Sequence, residues 1–303
     1  MPPIQIIVNA SGGSFTAGQT EAAIRAAFDS RSMEYHLHLA GSGDELVEFA
    51  KMAVASDAET IVAGGGDGTV SAVAGIMHGS GKTFGVLPLG TLNNFSKDLR
   101  IPQDITGAIR VIAAGNIAEI DLAEVNGRVF INNSSIGLYP SIVRKREEQQ
   151  RLGKGKWNAA FWSAIQMFRN GRFVQVRIET NGKTFVRKTP FVFVGNNEYV
   201  MDLYNIGRRA AINEGKLSVY FLRHGGRMGV VKLILRTLTG TVKQWHEFEA
   251  IVTESLTIDT KRAVIPVAFD GEVGAIETPL HYRSLPRALK VIVPEQMLRE
   301  VEN

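Results

Sequence analysis

The chain reads as an α/β protein in two parts: an N-terminal doubly wound α/β domain and a β-rich, mostly antiparallel second domain. Three observations predict this. Up to Asp121, short apolar runs alternate with segments of helical period, the pattern of a parallel sheet covered by crossover helices. Beyond Asp121 strand follows strand, with Asn126-Gly127 and Asn181-Gly182 between apolar runs as tight hairpin signals. In the first part the run Gly64-Gly65-Gly66-Asp67-Gly68-Thr69 joins the apolar stretch Ile61-Val62-Ala63 to a helical pattern from Val70 to Met77.

Taken in order, Ile4–Val8 reads as a buried strand, Glu21–Phe28 as a helix and Tyr35–Leu39 as a second strand. Ser42 and Glu45 have capping-box spacing, ahead of a helix with Leu46, Phe49, Ala50, Ala53 and Val54 on one face. The Ile61 strand, the Val70 helix, a strand from Thr83 to Leu87 and a helix over Ile105–Ala114 complete the first part. In the second, Ala123–Val125, Val129–Asn132, Phe173–Thr180, Lys183–Thr189, Phe191–Val194, Lys216–Leu222, Ser255–Asp259 and Val264–Phe269 read as strands. Leu289–Val293 and Gln296–Val301 read as a return to the first domain. The expected boundaries are therefore 1–122 plus 286–303, and 123–285.

Bulk properties narrow the class. A chain of 303 residues with 45% hydrophobic residues and 15 Phe has ample core-forming material and is not globally disordered. The absence of cysteine removes disulfides and thiolate metal sites and fits a cytosolic protein. Met1-Pro2-Pro3-Ile4 enters a strand pattern almost at once, without the basic and apolar regions of a signal peptide. No apolar run approaches the ~18–20 residues that span a bilayer. The expected location is cytoplasmic, with at most peripheral contact with the inner membrane face. Net charge is +4, and Arg144–Lys156 alone, with six basic and two acidic residues, carries that much.

The glycine run is the strongest chemical signal. Four glycines among positions 64–68 remove the Cβ atoms that would keep a bulky anion away from backbone N–H groups. The helix that follows points its unpaired amides and positive dipole end at the same place. Phosphate is the natural occupant, and Asp67 is placed to face a metal carried by it. Two further loops leave the same sheet edge: Asn9-Ala10-Ser11-Gly12-Gly13 after the first strand, and Pro88-Leu89-Gly90-Thr91-Leu92-Asn93-Asn94-Phe95 after the Phe84–Leu87 strand. In the latter, Thr91 is placed to cap the next helix and Asn93 to hydrogen-bond a base, ribose or phosphate. Three such loops point to a nucleotide cleft. Gly79-Ser80-Gly81-Lys82-Thr83, by contrast, imitates a Walker A tail but has Ile76 where the loop's first glycine belongs, and it joins a helix to a strand.

Two other segments admit two readings each. Asp270-Gly271-Glu272 can be a solvated turn, or can supply the base that takes an acceptor hydroxyl's proton. Behind the basic run, Trp157, Ala160, Phe161, Ala164, Ile165 and Phe168 recur at helical spacing. That is either a helix packed on the core or, from Arg144 to Phe168, an amphipathic entrance for anionic membrane and acyl chain. No recognition motif for nucleic acid accompanies the charge. His36 and His38 share a strand face without a third ligand in view, and the remaining histidines have no metal-ligand spacing.

In combination, Gly65-Gly66-Asp67-Gly68-Thr69, Pro88-Leu89-Gly90-Thr91-x-Asn93 and Asp270-Gly271-Glu272 resemble the bacterial diacylglycerol kinase-type lipid kinases, relatives of the sphingosine kinases. The likeness runs nearly end to end. It includes Asn9-x-Ser11-Gly12, Ile120-Asp121-Leu122, Phe130 to Gly137 and Arg151-Leu152-Gly153. The resemblance implies a nucleotide domain and a β-rich domain, with ATP and a lipid hydroxyl meeting in a cleft. It implies that Asn9, Ser11, Gly12, Gly64, Gly65, Gly66, Asp67, Gly68 and Thr69 hold ATP phosphates, joined by Thr91. Asp67 and Asp121 would belong to an Asp–water–Mg²⁺ network, and Glu272 would be the general base, with Asp270 beside it. Two departures stand out. Asn94 occupies a position where many relatives carry Asp. A structural Mg²⁺ site of the second domain maps onto Ala211–Lys216, where Glu214 replaces Asp. The competing readings are a soluble-substrate kinase resembling NAD kinase, and a non-catalytic nucleotide or lipid sensor. No spacing in the chain specifies the acceptor lipid or an oligomeric state.

Overall fold

The computed structural model describes residues 2–11, 17–137, 173–200, 208–209, 211–222 and 248–302. The chain forms two compact units, Met1–Leu122 with Ala211–Glu214 and Leu285–Asn303, and Ala123–Ala210 with Gly215–Ser284.

In the first unit β1 (Ile4–Asn9), α1 (Ala17–Asp29), β2 (Tyr35–Ala40), α2 (Gly43–Ala55), β3 (Thr60–Gly65), α3 (Asp67–Met77), β4 (Thr83–Pro88), α4 (Asn94–Asp98) and α5 (Ile105–Ala114) follow one another. The strands lie parallel in the order β2-β1-β3-β4. Ile6-Ile7-Val8 and Ile61-Val62-Ala63 are fully buried, as strands covered on both faces must be. The α2 cap is built as its spacing predicts: the Glu45 amide donates to the Ser42 hydroxyl at 3.2 Å. The Glu45 carboxylate reaches one residue past the cap, to the Gly41 amide at 2.8 Å. Leu46, Ala50 and Ala53 form the buried stripe of α2, with Phe49 and Val54 half-buried beside it. The Walker-like segment is a plain α3–β4 connection whose Lys82 ammonium donates to the carbonyls of Ser56 and Ala58. His38 hydrogen-bonds Gln5 at 2.8 Å and packs its ring on Phe49, so it is a packing residue. Burial holds its pKa below the ordinary imidazole value.

The second unit takes over within β5 (Ile117–Val125). It continues through β6 (Arg128–Phe130), β7 (Asn133–Gly137), β8 (Val174–Thr180), β9 (Lys183–Thr189), β10 (Phe191–Asn196), β11 (Tyr199–Val200), β12 (Arg208–Arg209), β13 (Leu217–Leu222), β14 (Phe248–Thr253), β15 (Ser255–Thr260), β16 (Val264–Phe269) and β17 (Glu272–Glu277). One sheet has the order β14-β13-β10-β7-β16-β17, every neighbouring pair antiparallel. In the other, β8 pairs with β9 and β15, and β15 with β18 (Leu280–Ile292), again antiparallel. The two sheets enclose one apolar core that includes Phe130, Ile136, Ile178, Val194, Phe221 and Val267. Inside it, Tyr282 shares a 3.0 Å hydrogen bond with Ser134, and burial pushes its phenol above the ordinary value, so it stays protonated.

Both Asn-Gly turns are two-residue hairpins with positive φ at each residue: 49° and 80° at Asn126-Gly127, 48° and 69° at Asn181-Gly182. Asp270-Gly271, at 47° and 94°, is a third turn of the same kind, between β16 and β17. From Leu285 onward β18 belongs to the first unit, where Lys290 and Val291 pair in parallel with Thr83 and Phe84. α6 (Glu295–Glu302) follows. Among the described residues no helix is long and apolar enough to cross a membrane. The basic run 144–156 and the apolar period 157–168 lie outside the described residues.

Candidate active site

The carboxyl ends of β1, β3 and β4 coincide: Val8 lies beside Gly64, Gly64 beside Leu87, and Gly65 beside Pro88. Three loops leave this edge and are tied to one another. Asn9 Oδ1 accepts from the amide and hydroxyl of Ser11 at 3.0 and 2.7 Å, and its Nδ2 donates to the Thr69 hydroxyl at 3.1 Å. The first loop is thereby fastened to the first turn of α3. Gly12, expected in this loop, lies outside the described residues.

The glycines here serve close approach rather than unusual φ. A Cβ on Gly64 would fall 2.8 Å from the Val8 side chain, and one on Gly65 would fall 2.5 Å from that of Thr69. Gly90 is tighter still: its Cβ would lie 2.4 Å from Gly66 Cα and 2.7 Å from Asn93 Oδ1. The second and third loops therefore touch backbone to backbone. Gly90→Ala must push them apart, and it is expected to cost about 1–3 kcal/mol of stability, seen as a lower denaturation midpoint.

Gly66 starts α3 without a side-chain cap, its carbonyl accepting the Val70 amide at 3.1 Å. The N–H groups of Asp67, Gly68 and Thr69 are thus the first-turn donors of a helix end suited to an anion. Asp67 itself reaches across to the third loop. Its Oδ2 accepts from the Asn94 amide at 3.1 Å and its Oδ1 from the Phe95 amide at 3.0 Å. Asp67 caps α4, the task expected of Thr91, which is instead exposed.

Asn93 has a structural part in the same loop. It is 8% exposed, holds a left-handed backbone (φ 50°, ψ 45°) and turns its amide inward. Oδ1 accepts from Gly90 N at 3.0 Å and Nδ2 donates to Gly90 O at 2.9 Å. One bond at each end of the amide goes to the loop, so Asn93 shapes this turn and keeps a further N–H and lone pair.

Asp121 is completely buried, and its Oδ1 accepts the Arg287 amide at 2.8 Å where β18 bends through a positive φ of 51°. Its own amide donates to Ile212 O at 2.9 Å, holding the segment Ala211–Glu214 to β5. Glu214 is exposed at the end of that segment. Among the described residues no three acidic or histidine groups form a metal cluster, so Asp67, Asp121 and Glu214 are not gathered into one. Mg²⁺ requires less, since it retains several waters and binds through one or two carboxylates plus phosphate. Each Asp67 oxygen accepts one backbone amide and has a further lone pair, so this residue fits such an ion.

In the second unit the two carboxylates of Asp270-Gly271-Glu272 have separate surroundings. Asp270 Oδ2 accepts from Ile131 N at 2.8 Å, and Oδ1 from Asn132 N at 2.7 Å and Asn133 N at 2.9 Å. The Asp270 amide returns a bond to Asn133 O at 2.9 Å. Three backbone N–H donors hold this carboxylate in place. Glu272, the first residue of β17, is 61% exposed, and its Oε2 lies 3.7 Å from Arg128 Nη2. A groove of about 570 Å³ in this unit, lined by Glu124, Asn126, Glu179, Asn181, His281 and Arg283 among others, contains none of the residues expected at the site.

Residues 3–125 match the family model for the diacylglycerol kinase catalytic domain. Residues 137–293 match that for the YegS C-terminal NAD kinase beta sandwich-like domain, half of the chain by itself. The chain belongs to the diacylglycerol kinase family. It is a phosphotransferase with an alcohol acceptor. A diacylglycerol kinase of Staphylococcus aureus (strain Newman) is 25% identical over 261 residues, 85% of this chain and 81% of the relative. The crystal structure of a diacylglycerol kinase from Bacillus anthracis str. Sterne superimposes with TM-score 0.69 at 19% identity, over 97% of this chain and 98% of that one. Yeast NADH kinase complexed with NADH shares the fold more distantly, with TM-score 0.58 and 10% identity over 100% of this chain and 87% of that one.

Residue types alone did not reveal Gly90 as a contact between loops, Asp270 as a holder of backbone amides, or Arg128 as a neighbour of Glu272. The signals present were faint: a second glycine loop on the same edge, and a third X-Gly hairpin turn.

Proposed function

We propose that this family member transfers the γ-phosphate of ATP to a hydroxyl of a diacylglycerol-like or sphingoid lipid at a membrane surface, with Glu272 as the base. The observation that carries the assignment of the base is the difference between the two carboxylates. Asp270 is committed to three backbone amides, whereas Glu272 is largely exposed at the start of β17.

In this reading the triphosphate is bound by the α3 N-terminus, which the close-packed glycines of the Gly64–Gly66 and Gly90 loops hold at this edge. Thr91 on its exposed loop adds a hydroxyl, and Ser11 would add another by turning its proton from Asn9 Oδ1 to a phosphate oxygen. Asp67 would hold Mg²⁺, directly or through water, and the ion would neutralise phosphate charge. Asp121 fixes the bend in β18 through the Arg287 amide. At the acceptor, Glu272 takes the proton of the lipid hydroxyl as its oxygen bonds to the γ-phosphorus. The bond from that phosphorus to the β–γ bridging oxygen breaks and ADP leaves. The excess positive charge of residues 144–156 supports approach to an anionic surface.

The test is to offer γ-labelled ATP with diacylglycerol, monoacylglycerol, sphingoid base, ceramide or NAD. Label in a lipid product supports the reading. Label in NAD alone assigns a soluble-substrate kinase, and ATP binding without any labelled product assigns a sensor.

A further inference from the structure

We infer that Arg128 is a positioning residue for phosphoryl transfer, seated to hold Glu272 ionised and oriented. The inference rests on the reading of Glu272 as the base. Arg128 opens β6, directly after the Asn126-Gly127 turn, and reaches the β16–β17 hairpin. Three contacts define its place. Its guanidinium carbon stands 4.5 Å from the centroid of the Phe269 ring, an arrangement that attracts a cation to the π face. Its Nη1 lies over Gly274, where a Cβ would fall 2.6 Å away. Its Nη2 faces Glu272 Oε2 at 3.7 Å.

The seat is specific to a flat cation. Phe269 supplies the face, Gly274 supplies the clearance, and the paired residues Phe269 and Glu272 close the hairpin beside it. Charged groups near Glu272 include Arg128, from β6, and Asp270, in the turn itself. Asp270's oxygens accept the three amides of residues 131–133, so its negative charge is already partly compensated. Arg128 is therefore the cation placed to favour the carboxylate form of Glu272 over the acid. Both side chains are partly exposed, 43% and 61%, so the coupling is of the size of a surface pair.

The experiment compares kcat/KM against pH for the parent, Arg128→Gln, Arg128→Lys, Gly274→Ala and Glu272→Gln, using γ-labelled ATP and the lipid acceptor found above. Arg128→Gln is expected to move the acid limb to higher pH by about half a unit, and 1 M salt to shrink that difference. Arg128→Lys should recover part of the shift, because charge returns without the planar stack. Gly274→Ala should move the limb in the same direction as Arg128→Gln, by displacing the guanidinium rather than removing it. Unchanged melting temperatures exclude a folding artefact. If Glu272→Gln is inactive and the acid limb stays in place in Arg128→Gln, the role of Arg128 is overturned while the base assignment survives. If Glu272→Gln keeps the parent rate, the base assignment itself has failed. A uniform rise in the lipid KM of Arg128→Gln without a shifted limb would make Arg128 a headgroup contact, contrary to the inference.

Discussion

Glu272→Gln is expected to lower phosphoryl transfer by about 10²–10⁴-fold, the usual worth of a positioned general base. Its stability should stay within about 0.5 kcal/mol of the parent. The two expectations have one source. Glu272 is 61% exposed, so exchanging its carboxylate for an amide leaves no buried group unpaired. It removes the ability to accept a proton from the acceptor hydroxyl and weakens a partly exposed ion pair with Arg128. ATP affinity, which depends on the loops of the first unit, should not change. Equilibrium unfolding, nucleotide binding and initial rates on the same preparation check all three.

Asp270→Ala should show the reverse balance. The carboxylate accepts the amides of Ile131, Asn132 and Asn133, and the Ile131 and Asn132 residues are buried. Removing it strands donors at roughly 1–3 kcal/mol each where water cannot replace it. It also places Ala at a φ of 47°, where Asp and Asn are tolerated better than other L-residues. A loss of about 3–5 kcal/mol is expected, measured as a lower denaturation midpoint with an unchanged m-value. Asp270→Asn keeps the turn preference and one acceptor oxygen, and should lose about half as much. An Asp270→Ala protein of parent stability but without turnover would transfer the role of base to Asp270.

Much of the architecture was legible because local signals agreed with the tertiary result. Ile6-Ile7-Val8 is apolar on both faces and became a central parallel strand, and Ile105–Ala114 runs from the Asp104 cap to Gly115 as a helix. Asn126-Gly127 and Asn181-Gly182 announced their hairpins because few residues accept two successive positive φ values. Asp270-Gly271 carries the same signal, but the β17 segment that follows has no clear strand pattern of its own. Its sequence, Glu-Val-Gly-Ala-Ile-Glu, has a glycine at its centre. The reason for that glycine lies on another strand, under the Arg128 guanidinium. β14, Phe248–Thr253, is likewise not among the strands expected of the sequence.

The candidate site divides along the same line. Gly64–Thr69 was recognisable because a strand, a glycine run and a helix start are contiguous in sequence. What Gly90, Asn93 and Asp67 do for one another was not, because it depends on two loops meeting. Gly90 meets Gly66 backbone to backbone, and Asp67 caps a helix 27 residues further along. No spacing rule connects Asp121 with the Arg287 amide either. The side chains that face into such contacts are chosen by partners distant in the chain, and composition does not record them.

The central claim is phosphoryl transfer to a lipid hydroxyl. Its most direct measurement is the partition of label from γ-labelled ATP after incubation with Mg²⁺ and mixed lipid vesicles, with Glu272→Gln run in parallel. The account predicts label in the organic phase, on a phosphorylated lipid, with the parent protein and its near absence with the variant. Label confined to the aqueous phase across the whole acceptor panel, or equal lipid labelling by parent and variant, would contradict it.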